Sequence, residues 1–114
     1  MRNYVPYWEA PADPGVSERF VGHVLTFSFE PYNTGTARIE AIRPNTYNRT
    51  PEEGPWPGKY SVTFRVLEGK TRNRLFQHVS FSDDAGKAIT LPSVSEDELQ
   101  RWVDAGHARY VYPV

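Results

Sequence analysis

The sequence predicts an α+β fold: a small antiparallel β-sheet of about five to six strands, with one short helix at about residues 95–105 packed on a face. Three observations predict it. Apolar and polar residues alternate through several short runs, the period of half-buried strands. A single segment, SEDELQRWVDAG, combines a helical period with both a start and a stop signal. The order of strands, then helix, then strand places that helix against one face of the sheet.

Taken in order, the first fifteen residues read as an extended arm carrying Tyr4, Tyr7 and Trp8 among Pro6, Pro11 and Pro14. RFVGHVLTFSF, residues 19–29, follows as a strand. Its Val21, Leu25, Phe27 and Phe29 alternate with Gly22, Thr26 and Ser28, and His23 falls on the apolar face as a core histidine. After a turn at Pro31, Asn33 and Gly35, Ala37, Ile39 and Ala41 mark a second strand. Residues 43–58, RPNTYNRTPEEGPWPG, have four prolines and no period; so long a connection is either functional or disordered. Strands are expected at 59–67, 72–82 and 87–91, the last after an Asp84-Ala85-Gly86 turn.

The helix is the best-specified element. Ser95 and Glu98 form a capping box, Val94 and Leu99 a hydrophobic staple, and Glu96, Asp97 and Glu98 oppose the helix dipole. Leu99, Trp102 and Val103 make one apolar stripe, and Gly106 suits a left-handed stop. HARYVYPV closes as a strand bringing Tyr110 and Tyr112 to one face. All ten prolines are expected to fall outside regular structure, Pro113 at the end of the closing segment.

Gly69-Lys70-Thr71 has the closing letters of a phosphate-binding loop, but the glycine five positions earlier is replaced by Phe64. Strand-like alternation follows where a helix N-terminus is needed. Gly69-Lys70 reads instead as a type II′ hairpin turn. In that register Tyr60 faces Val79, Phe64 faces Leu75 and Arg65 faces Arg74. The outer face then carries Lys59, Arg65, Arg72, Arg74 and His78 around Phe76. Arginines directly opposite each other need an anion. It comes from an external partner or from Glu40, Glu52, Glu53 or the acidic helix.

At 114 residues the chain reads as one domain, 1–114, without cysteine and hence without disulfides or thiolate chemistry. No apolar run reaches the roughly 18 residues of a membrane span, and no signal-peptide core precedes the fold. A cytoplasmic location is expected. The net charge of −1 is unevenly spread: residues 1–34 carry −2, residues 35–80 carry +4 and residues 81–114 carry −3. No metal-ligand spacing, nucleophile elbow or cofactor motif is present, so no catalytic residue, metal or cofactor is assigned.

These features point to a non-enzymatic binding or regulatory protein, such as an inhibitor or accessory factor. Small factors encoded by phages and plasmids fit the same description. It is expected to contact a larger protein or nucleoprotein partner through the 43–58 loop and the basic face of the 59–82 hairpin. Tyr47 and Trp56 would be anchors, and Arg65, Arg72, Arg74, Phe76 and His78 the charged and stacking contacts. One alternative is direct nucleic-acid binding by the basic sheet face. Another is a small enzyme or small-molecule-binding domain with a sheet–helix cleft near His23.

Overall fold

The computed structural model describes residues 14–30, 33–75, 78–83 and 85–111, with side chains described for 14–29, 34–69 and 85–111. The elements are α1 (Pro14–Phe20), β1 (Val24–Glu30), β2 (Asn33–Pro44), β3 (Lys59–Leu75), β4 (His78–Asp83), β5 (Ala88–Ser95), α2 (Glu96–Ala105) and β6 (His107–Val111). The strands form one sheet in the order β4-β3-β2-β1-β6, with β5 also paired to β3. The α+β class and the short helix agree with the sequence. The sheet is mixed rather than wholly antiparallel, because β6 runs parallel to β1. Helix α2 carries the chain from the β5 edge across the covered face to the β1 edge, and that crossover permits the parallel pair. None of the helices among the described residues is long and apolar enough to cross a membrane.

A second helix replaces the start of the expected 19–29 strand. Pro14 opens α1, where a missing N–H costs nothing, and Val16 and Phe20, four apart, bury one face. Gly22, at φ 98°, takes the left-handed conformation that lets the chain leave the helix and enter β1 at Val24. His23 therefore lies in the connection and is exposed, not packed among Val21, Leu25 and Phe27. Of the expected 1–15 arm, Pro14 and Gly15 are the first residues of α1, and the rest lies outside the described residues.

The hairpin register also differs. Strand β3 is 17 residues long and runs straight through Gly69-Lys70; the reversal comes after Leu75. Lys70 pairs with Asp83 and Leu75 with His78, so Arg74 lies opposite Val79 instead of Arg65. Gly69 has another role. It lies opposite Gly35 of β2, where the strands approach so closely that a Cβ on Gly69 would stand 2.6 Å from the Thr34 carbonyl oxygen. A Cβ on Gly35 would stand 2.1 Å from the Glu68 carbonyl oxygen. Phe27 of β1, paired with Gly35, lays its ring over this gap.

The expected 87–91 strand extends to Ser95 as β5, and β4 and β5 act as one interrupted return strand along β3. The Val66 N–H donates to the Lys87 carbonyl at 2.8 Å and the Gly86 N–H to the Val66 carbonyl at 2.8 Å, continuing the ladder between them. Pro92 lies inside β5, where the register against β3 shifts between Tyr60 and Val62. An edge strand at a bulge is where a sheet tolerates proline.

The covered face holds the core: Leu25, Phe27 and Phe29 of β1, Ile39 and Ile42 of β2, Val62, Phe64 and Val66 of β3, and Leu91 and Val94 of β5. The rings of Phe27, Phe29, Phe64 and Trp102 form a chain with centroid separations of 4.8, 5.2 and 6.3 Å. Each such burial stabilises the fold by about 1.5–3 kcal/mol relative to exposure. Helix α2 has the caps its sequence promises. Ser95 Oγ accepts from the Glu98 N–H at 3.2 Å, and Gly106, at φ 72°, donates to the Trp102 and Val103 carbonyls. Val94 and Leu99 are both fully buried, as a staple requires. Tyr110 of β6 packs at the core margin. Burial first, and the charge of Glu98 second, hold its hydroxyl above the usual tyrosine range.

Candidate binding site

The connection between β2 and β3, residues 45–58, is a braced surface loop. Its root is Asn45, a buried polar residue whose backbone groups and Oδ1 are engaged. The Asn45 N–H donates to the Lys59 carbonyl at 3.2 Å, its carbonyl accepts from the Trp56 N–H at 2.8 Å, and its Oδ1 accepts from the Tyr47 N–H at 3.0 Å. The last bond is an Asx turn, which reverses the chain locally. Thr50 and Glu53 close the next turn: Thr50 Oγ1 donates to Glu53 Oε1 at 2.9 Å, and the Glu53 N–H donates back to Thr50 Oγ1 at 3.3 Å. Asn48 and Gly54 adopt positive φ, at 57° and 73°, to complete the reversals.

Arg49 ties these turns to Trp56. Its guanidinium donates to the Gly54 carbonyl at 2.9 Å and the Glu53 carbonyl at 3.0 Å, and lies 3.6 Å from the Glu53 carboxylate. It also sits 4.4 Å from the centroid of the Trp56 ring, a cation–π contact. The indole N–H of Trp56 donates to the Tyr47 carbonyl at 2.7 Å. The polar handle of the tryptophan is thus satisfied inside the loop. Even so, Trp56 keeps 42 % and Tyr47 61 % of its surface exposed.

Beside these rings runs an open groove of about 520 Å³, walled also by Asn45, Asn48, Lys59, Pro92 and Ser93. Pro92 and Ser93 arrive there because the β5 bulge lies beside Tyr60, next to the loop's return into β3. Among the described residues, Lys59 is the one charged wall. Arg49 is engaged behind the ring, and Glu53 is held by Thr50 and Arg49.

Of the residues singled out in the sequence, the structure brings Tyr47 and Trp56 together. Arg65 lies elsewhere, on the open face of the sheet, opposite Arg38 of β2 and Ala88 of β5. Its anion is internal. Glu40, the extra residue of a β2 bulge, accepts from the Arg65 guanidinium at 3.0 to 3.3 Å, and the Gly86 carbonyl accepts at 2.7 Å. The backbones of Arg72 and His78 belong to β3 and β4, opposite Phe81 and Leu75; their side chains, that of Arg74, and all of Phe76 lie outside the described residues. Among the described residues no three His, Asp or Glu side chains are placed to hold a metal ion.

Lys59 was expected on the basic hairpin face and lines the groove instead; Asn45, Asn48, Pro92 and Ser93 carried no role in the sequence. Asn45 has a legible signal, an Asx residue two positions before Tyr47 in a proline-rich turn. Pro92 and Ser93 have none, since only the β3–β5 register brings them to the loop. No family model, curated protein or solved structure matches the chain.

Proposed function

We propose that this protein is a non-enzymatic binding or regulatory factor that captures a larger protein or nucleoprotein partner with the face of the 45–58 loop. The observation that supports this reading is the pairing of a rigid loop with two exposed aromatic rings. Tyr and Trp bury large stiff surfaces at low entropic cost and dominate interface energetics. A loop braced by Asn45, Arg49 and Glu53 before binding loses little further freedom, so more of the contact energy appears as affinity. Arg65 is neutralised by Glu40 and has at most a rim role. The hairpin residues Arg72, Arg74, Phe76 and His78 are proposed as a second, separate contact, since Arg72 stands 13 residues along β3 from the loop's return at Lys59.

Tyr47→Ala is the clean variant, because the loop uses only the backbone N–H and carbonyl of Tyr47. Affinity capture from host lysate, with nuclease added, is expected to retain a protein that Tyr47→Ala binds about 30-fold more weakly, a loss of about 2 kcal/mol at an anchor. The melting temperature should stay within roughly 2 °C, as for a surface substitution. Capture unchanged by Tyr47→Ala would sink the loop reading, and capture abolished by nuclease would replace the protein partner with nucleic acid.

A further inference from the structure

We infer that the groove beside Trp56 and Tyr47 takes an extended, proline-containing peptide segment bearing a carboxylate. This rests on the reading of the loop face as a contact surface and names the chemistry of what it contacts.

The wall chemistry carries the inference. Two aromatic rings and Pro92 give the groove flat apolar surfaces, while the polar residues among its described walls are few: Asn48, Ser93 and Lys59, beside Asn45, whose Oδ1 is engaged. The indole N–H of Trp56 is bonded to the Tyr47 carbonyl, so the tryptophan offers a ligand its ring and not a donor. A ligand rich in hydroxyls would leave most of them unmatched here, at a desolvation cost for each. A polyproline II segment suits such a wall. It exposes apolar pyrrolidine rings, has no internal hydrogen bonds to break and is extended before it binds. The volume of about 520 Å³ lies in the range that holds a drug-sized ligand or a short peptide segment.

Charge then selects among such segments. Among the described residues Lys59 is the charged wall, Glu53 is held by Thr50 and Arg49, and no carboxylate residue lines the groove. A carboxylate on the ligand meets a cation, and a lysine on the ligand meets the same sign.

The test uses the full-length, isotope-labelled protein and three synthetic nonapeptides, built of Pro-Pro-Glu, Pro-Pro-Lys or Ala-Ala-Glu repeats, titrated at low salt. With the Pro-Pro-Glu peptide, the Trp56 indole N–H and the amides of Tyr47, Asn48 and Ser93 should shift together and saturate. The Pro-Pro-Lys peptide should bind roughly three- to fivefold more weakly, the scale of one exposed ion pair. The Ala-Ala-Glu peptide, with the charge but no pyrrolidine, should give no saturable shift. In Lys59→Glu, whose dispersed spectrum would report an intact fold, the order of the two proline peptides should invert. Equal binding of the Pro-Pro-Glu and Ala-Ala-Glu peptides, an unchanged charge preference in Lys59→Glu, or no saturable shift with any peptide at millimolar concentration would each overturn the inference. The broader loop reading is scored separately by Tyr47→Ala capture: if that loss persists while the peptides fail, the site stands and its assigned ligand does not.

Discussion

Gly69 and Gly35 hold β2 and β3 at a separation that admits no side chain between them. The obstacles are backbone atoms, the Thr34 and Glu68 carbonyls, which cannot rotate away as a side chain can. Gly69→Ala is expected to destabilise the protein by about 1–3 kcal/mol, the usual cost of overpacking. A urea midpoint equal to wild type would show that the strands separate freely there. Arg65 makes a related point. The sequence demands an anion for facing arginines, and the structure supplies one. The facing arginine is Arg38 rather than Arg74, and Glu40, at a bulge of β2, pairs with Arg65. The physical demand was legible, but its location was not, because a register is a relation between distant residues.

Elements with local signals were read best. Helix α2 carries its own start, stripe and stop, and its cap, staple and left-handed glycine all form. Ser95→Ala should cost about 1 kcal/mol, measured as a shift in denaturant midpoint with an unchanged slope. No shift would mean that packing alone sets where α2 begins. Helix α1 was hidden because its apolar signal is a single pair, Val16 and Phe20, whereas Val21 prolongs backwards the true strand alternation of Leu25, Phe27 and Phe29. In the 45–58 loop, prolines and glycines announced irregular backbone correctly. The braces from Arg49 and Asn45 that turn it into a shaped surface have no periodic signature, so the groove became legible only in three dimensions.

At the scale of the molecule, the contact between α2 and β6 links stability to alkaline pH. Tyr110 has its pKa raised above the ordinary 10.0 by burial and by Glu98. The native state therefore keeps a proton that the unfolded chain releases, and unfolding becomes easier as pH rises. The contribution is fully present below pH 10.0 and is lost as pH rises through the native value above it. Denaturant midpoints between neutral and alkaline pH should fall more steeply in wild type than in Tyr110→Phe. Equal slopes would remove Tyr110 from the account.

The parallel pairing of β1 with β6 also imposes an order of assembly. Thr26 meets Gly106 through both its backbone N–H and its hydroxyl, across 80 residues of chain. During synthesis β1, β2 and β3 can pair as soon as each appears, while the second edge of β1 stays open until α2 and β6 have been made. An open strand edge is a template for other chains, and non-local pairing is the slow kind. The helix that crosses the sheet is therefore also a courier: until it delivers β6, that edge of β1 is an adhesive margin, exposed for as long as the last strand takes to arrive.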